Sequence, residues 1–256
     1  MVGRTDPFKT GVGGLDKLIP IGIPRGSSVL VEGGPGCGKT LLCLQMAMNA
    51  CKRGEKVLFM SFEEPDAKLR EHMREFGWDV DALEKDGFFR IKRFNALDIA
   101  RSVEALLSGA KRELLIDVHP MLFPKDFRPD VVFIDSLTSI STAFSGEESR
   151  FRIYMEQLFR YLETENITSF LINEAPRPAH TGGNYSEKGE AVSFLSDGII
   201  VLYNVLYGDG RRGRAIEVFK MRGQYIEREI VLMEIRPKEG IVVYPKDYPV
   251  GNHTFL

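Results

Sequence analysis

Gly33-Gly34-Pro35-Gly36-Cys37-Gly38-Lys39-Thr40 satisfies G-x-x-x-x-G-K-[ST] at every fixed position. It follows Ser28-Val29-Leu30-Val31, which reads as a buried strand. It opens a stretch from Thr40 to Arg53 that reads as a helix stopped at Gly54. Strand, glycine-rich loop and helix in this order make a phosphate cradle. The glycines let backbone N–H groups converge on phosphate oxygens, and the helix N-terminus adds partial positive charge. Lys39 is placed to reach β- and γ-phosphates, and the Thr40 hydroxyl to ligate Mg²⁺. The nucleotide contacts are assigned to Gly33, Gly34, Pro35, Gly36, Cys37, Gly38, Lys39, Thr40 and Leu41.

Working outward, apolar strands alternate with helices. Val57 to Phe62, Phe88 to Ile91, Val131 to Asp135 and Ser169 to Ile172 read as strands. Ala67 to Phe76, Leu97 to Arg112 and Ser149 to Glu165 read as helices. This alternation predicts an α/β fold with a mostly parallel central sheet flanked by helices. After residue 190 the pattern changes to successive strands, Gly198 to Val205, Arg214 to Met221, Glu229 to Ile235 and Ile241 to Tyr244, which suit antiparallel additions to the sheet edge. The proline-interrupted segment 113–130 has no assignment, and the long loop 174–190 is a candidate functional segment. The whole chain, 1–256, is expected to form one domain.

A phosphate loop needs a second metal anchor. Asp135 ends an apolar strand, so it should stand at the carboxyl edge of the sheet, where ligands bind in such folds. The alternative is a helix N-cap. Glu63 and Glu64 follow the strand ending at Phe62 and reach the same edge, where a carboxylate can align an attacking water. They are equally readable as a solvated acidic pair at a helix start. Asn173 and Glu174 end another strand there, as a γ-phosphate sensor or a loop cap.

Composition sets the outer limits. Of 256 residues, 43% are hydrophobic and 27% charged, which excludes a largely disordered chain. The net charge of −2 gives no support to bulk electrostatic binding of nucleic acid. No apolar run reaches the roughly 18 residues of a membrane span, and Met1 to Asp6 shows no leader pattern. Cys37, Cys43 and Cys51 lack metal-ligand spacing and read as small core side chains of a cytoplasmic protein. His72, His119, His180 and His253 are scattered and read as surface or loop residues. Arg211, Arg212 and Arg214 form a basic turn, and Trp78 reads as core packing.

Six short motifs in order resemble the KaiC-like branch of the RecA-type P-loop ATPases, over nearly the full length. They are Thr10-Gly11-Val12-Gly13-Gly14-Leu15-Asp16, Ile23-Pro24-Arg25-Gly26-Ser27, Ser61-Phe62-Glu63-Glu64, Phe76-Gly77-Trp78-Asp79, Ile134-Asp135-Ser136-Leu137 and Val218-Phe219-Lys220-Met221-Arg222-Gly223. The resemblance implies a RecA-like ATPase using ATP and Mg²⁺, with Glu63 and Glu64 as the catalytic pair and Thr40 and Asp135 at the metal. It also implies a ring-shaped homohexamer with ATP at subunit interfaces, in which Lys220 and Arg222 reach the neighbour's nucleotide. A regulatory role with an unidentified protein partner follows from the same likeness.

The family's founding protein has two such domains in tandem, whereas this chain matches one. Its Ser-Thr phosphorylation pair corresponds to Ser193-Phe194, which leaves Ser193 as the candidate acceptor for autophosphorylation. The alternatives are a recombinase-like DNA-binding ATPase and a weakly hydrolysing, ATP-dependent scaffold.

Overall fold

A computed structural model describes residues 5–109, 123–124, 126–144, 147–174 and 192–256. Most of segment 113–130 and nearly all of loop 174–190, with His119 and His180, lie outside these residues. The chain order begins with α1 (Leu15–Leu18), β1 (Ser28–Gly33), α2 (Lys39–Lys52), β2 (Val57–Ser61), α3 (Asp66–Glu75), α4 (Val80–Lys85) and β3 (Phe89–Arg93). It continues with α5 (Ala96–Gly109), β4 (Val131–Asp135), α6 (Leu137–Ala143), α7 (Glu148–Thr164) and β5 (Thr168–Glu174). The late strands are β6 (Gly198–Tyr207), β7 (Arg212–Met221), β8 (Val231–Arg236), β9 (Gly240–Tyr244) and β10 (His253–Phe255).

All ten strands join one sheet, in the order β3-β2-β4-β5-β1-β6-β7-β8-β9, with β10 paired to β6. The strands from β3 to β6 are parallel, and β7, β8, β9 and β10 add antiparallel pairings. This is the mostly parallel α/β sheet with antiparallel late strands expected from the sequence.

The central strands carry continuous apolar runs, Val29 to Val31, Val57 to Met60, Val131 to Ile134 and Phe170 to Ile172, because both sheet faces are covered. Alternation then sorts their side chains. Val29, Val31, Phe59, Phe133 and Phe170 join the cluster beneath α2 and α3. Leu30, Leu58, Met60, Val132 and Leu171 join the opposite cluster with α5, α6 and α7. On the α2 side Phe133 stacks on both Phe59 and Phe170, with ring centroids 5.9 and 5.0 Å apart, linking three neighbouring strands. Cys37, Cys43 and Cys51 are all buried free thiols, and burial pushes the Cys51 thiol up to about 12.

Four elements escaped the periodicity: α1, α4, α6 and β10. The three helices span only four, six and seven residues, too few turns to show a periodic face. Helix α4 rests on a local cap, Asp79 accepting from Ala82 N–H at 3.1 Å. Strand β10 has three residues and exists through its pairing with β6.

The antiparallel edge is tied to α2 by one buried side chain. Gln45 donates to the Ile241 carbonyl at 3.1 Å and accepts from the Ile241 N–H at 2.6 Å. Replacing it with Leu leaves two buried backbone groups unpaired, each costing about 1–3 kcal/mol. Gln45→Leu should therefore lose about 2–4 kcal/mol of unfolding free energy in urea while nucleotide affinity stays within about twofold of the parent.

Candidate functional site

Strand β1 ends at Gly33, where an added Cβ would lie 2.3 Å from the Leu202 carbonyl oxygen of β6, so the loop can leave the sheet here only through glycine. Gly38 at φ +108° turns the chain into α2. Lys39 is buried, and its ammonium donates to the Gly33 and Gly34 carbonyls at 2.9 Å each. Its charge therefore stands inside the loop, against the path of an arriving phosphate. Asn204 Nδ2 holds the Pro35 carbonyl at 3.1 Å, and Arg214 Nη2 reaches the Gly36 carbonyl at 3.5 Å. Arg214 is thus no part of a free basic turn: its guanidinium lies against the phosphate loop. Arg211, by contrast, pairs with Asp209.

The parallel register brings the other candidates to the same edge. Ser61 stands opposite Asp135, and Gly33 opposite Glu174. The Thr40 hydroxyl donates to Asp135 Oδ2 at 2.7 Å. Asp135 is not a helix cap, because Ser136 caps α6. Glu63 Oε1 accepts from the Ser136 hydroxyl and, at 3.1 Å, from Ser139. Glu64 Oε2 lies 3.3 Å from Lys68 Nζ and 3.9 Å from His72 Nδ1. The two carboxylates are therefore held differently, Glu63 by hydroxyls at the start of α6 and Glu64 by the Lys68 ammonium of α3.

Asn173 donates to Glu32 at 3.1 Å, while Glu174 lines the cleft and its N–H is bound by Thr138. Ser193 turns its hydroxyl towards Glu32, 3.4 Å away.

These groups line one cleft of about 400 Å³, with Gly36, Lys39, Thr40, Leu41, Glu63, Glu64 and Asp135 on its walls. His72, Glu75 and Phe76 line it as well. His72 is thus a cleft residue rather than an incidental surface histidine. The i, i+4 spacing of Lys68 and His72 places both on one helix face above Glu64 and could have indicated this. Phe76 stacks on Trp78 at 5.3 Å; Trp78 is buried, as expected, and Phe76 is the aromatic on the cleft wall.

The donor set suits Mg²⁺. Among the described residues no cluster of three or more His, Cys, Asp or Glu side chains could hold a metal by itself. Mg²⁺ is usually bound by one or two oxygen ligands together with substrate phosphates, and Thr40 and Asp135 offer that pair.

Lys220 and Arg222 lie elsewhere. Lys220 pairs with Ile199 at the amino end of β6, whereas the phosphate loop leaves the carboxyl end of β1. The pair does project together as the strand spacing predicts. Lys220 Nζ donates to the Ser193 and Ser196 carbonyls at 3.0 and 2.6 Å, and Arg222 Nη2 to the Phe194 carbonyl at 2.7 Å. Neither can act on the nucleotide of its own subunit from there.

Burial pushes the Asp135 carboxyl up to about 6; the Thr40 hydrogen bond opposes this, Glu63 reinforces it, and Lys39 opposes it again. A carboxyl raised on folding stabilises the fold while protonated and loses that contribution as pH rises. The contribution is complete below the ordinary value of 3.8 and is lost as pH climbs through about 6. Ligand-free Asp135→Asn, which can still accept from Thr40, should therefore exceed the parent at pH 8 by about 1–3 kcal/mol and converge with it near pH 4. Urea unfolding across that range measures the gap; a gap independent of pH would contradict the assignment.

A family model described as the KaiC ATPase matches residues 8–248. A UPF0273 protein of Aeropyrum pernix is 32% identical over 255 residues, covering 94% of each chain. The circadian clock protein KaiC3 of Synechocystis is 28% identical; the match covers 94% of this chain but 46% of that protein. The crystal structure of a KaiC-like protein from Pyrococcus horikoshii superposes with a TM-score of 0.74 at 30% identity, covering 94% of this chain and 100% of the other. With a RecA-type sheet, a complete phosphate loop and a family match over nearly its whole length, the chain belongs to the KaiC family of ATPases, as a single KaiC-type domain.

Proposed function

We propose that the chain binds Mg·ATP in the phosphate-loop cleft and hydrolyses it as a head-to-tail ring, in a regulatory rather than a nucleic-acid-processing role. The observation that carries this reading is the convergence of Lys39, Thr40, Asp135, Glu63 and Glu64 on one cleft. Lys39 exchanges its bonds to the Gly33 and Gly34 carbonyls for the β- and γ-phosphates. Thr40 and Asp135 would hold Mg²⁺, which would supply charge neutralisation at the phosphates. Glu63 and Glu64 align the attacking water, and the lateral hold on each carboxylate keeps it at the edge of the cleft.

The placement of Lys220 and Arg222 supports the ring. They occupy the opposite end of the sheet from the phosphate loop of their own subunit. A neighbour docked head to tail would place them at its nucleotide, and a repeated contact of that kind closes into a ring when the rotation permits. A homohexamer is the number suggested by the family. Cations brought to the γ-phosphate from a partner stabilise the transition state by about 10³–10⁵ in rate in well-studied cases.

Lys39→Ala should lose ATP binding in equilibrium titration. Glu63→Gln/Glu64→Gln should keep binding within about threefold and lose about 10²–10⁴ in kcat. Lys220→Ala/Arg222→Ala subunits, inactive alone, should regain activity when mixed with the Gln pair. If the Gln pair turns over at the parental rate the catalytic assignment fails, and if mixed rings form without rescue the action between subunits fails.

A further inference from the structure

Asp197 lies between the helical turn 192–195 and β6. Its Oδ2 accepts from the Ser28 N–H at 3.0 Å, and its own N–H donates to the Ser28 carbonyl at 2.8 Å. Ser28 is the first residue of β1. The remaining groups of Asp197 face the cationic pair. Its carbonyl accepts from Arg222 N–H at 2.8 Å, and Oδ1 lies 3.5 Å from Arg222 Nη1. Arg222 lies just beyond the end of β7, where no ladder fixes it. Its side chain is half exposed and is held from one side by the Phe194 carbonyl at 2.7 Å, with the Asp197 carboxylate as the counter-charge on the other. Lys220 is more confined, its ammonium held by the carbonyls of Ser193 and Ser196.

We propose that Asp197 is the positioning residue of Arg222, the outer member of the Lys220–Arg222 pair. One carboxylate oxygen is anchored to the foot of β1, and the other holds the Arg222 guanidinium where a neighbouring subunit's phosphate would arrive. This deepens, and rests on, the reading of the pair as acting between subunits. Chemistry separates the two jobs of the carboxylate. In Asp197→Asn the amide oxygen can still accept from Ser28 N–H, but the amide N–H₂ then faces the Arg222 N–H donors. The anchor survives, and the hold on Arg222 is replaced by a donor–donor clash.

The test uses the full chain. Asp197→Asn and Asp197→Ala, which removes both contacts of the carboxylate, are assayed for ATP affinity, KM, kcat, thermal midpoint and oligomer size. The expected result is a kcat about tenfold lower at unchanged ATP affinity and oligomer size, the scale of a misplaced catalytic group. Mixing then identifies the injured side. Asp197→Asn subunits keep an intact nucleotide cleft, so Glu63→Gln/Glu64→Gln subunits, which carry a sound Lys220–Arg222 pair, should rescue them. Lys220→Ala/Arg222→Ala subunits should give no activity beyond the sum of the separate rates. Parental kcat in both Asp197 variants, rescue by both partners alike, or failure of both variants to fold would overturn the proposal. Parental turnover by Lys220→Ala/Arg222→Ala would instead overturn the action between subunits on which it rests.

Discussion

Strand β1 is hydrogen-bonded to β5 on one side and to β6 on the other, and all six of its residues are buried. The phosphate loop inherits its position from that double ladder. Gly33 exits the sheet so close to the Leu202 carbonyl that no side chain fits, and β5 on the other flank delivers Glu174 to the same edge. A loop of small residues has little packing of its own. Its backbone is aimed because both flanking ladders are complete and because Asn204 and Arg214 hold its carbonyls from β6 and β7.

The cleft concentrates carboxylates in a partly dry space. Asp135, Glu63, Glu64 and Glu174 face one another with Lys39 among them. Removal from water is the largest cause of the raised Asp135 pKa, ahead of repulsion from its neighbours. Under the proposed function, a divalent cation entering with a nucleotide would lower the cost of keeping Asp135 ionised there. A ligand that binds only the folded state stabilises it by mass action, so relief of this repulsion would couple occupancy of the cleft to the stability of the fold. The buried thiols have no such part: Cys37 lies within the loop, but burial raises its pKa and keeps it protonated.

Much of this was legible in the sequence because the deciding signals are local. The phosphate loop needs glycines at fixed offsets, and the central strands need unbroken apolar runs, as in Val131-Val132-Phe133-Ile134. Placing Asp135 at the loop needed only the parity of a parallel sheet. The parts that stayed hidden depend on distant pairing. Nothing local marks Ser136 and Ser139 as the partners of Glu63, because α6 is one short helix with no periodic face. Arg214 read as one of three surface arginines, and only the pairing of β7 with β6, which sets it opposite Asn204, turns it to the phosphate loop. His72 was set aside for want of metal spacing, although its helical spacing from Lys68 already aligned both with Glu64.

Because β1 is rigid and short, its two ends cannot move independently. At the carboxyl end it carries the loop that would hold the subunit's own nucleotide. At the amino end Ser28 is locked to Asp197, and through it to Arg222. A shift of the loop on nucleotide binding would travel along a strand buried on both faces and paired on both sides, which transmits displacement rather than absorbing it. Side-chain contacts around a flexible hinge would dissipate the same motion. In the proposed head-to-tail ring, this arrangement would supply a physical route by which occupancy of one cleft biases the cations offered to the next.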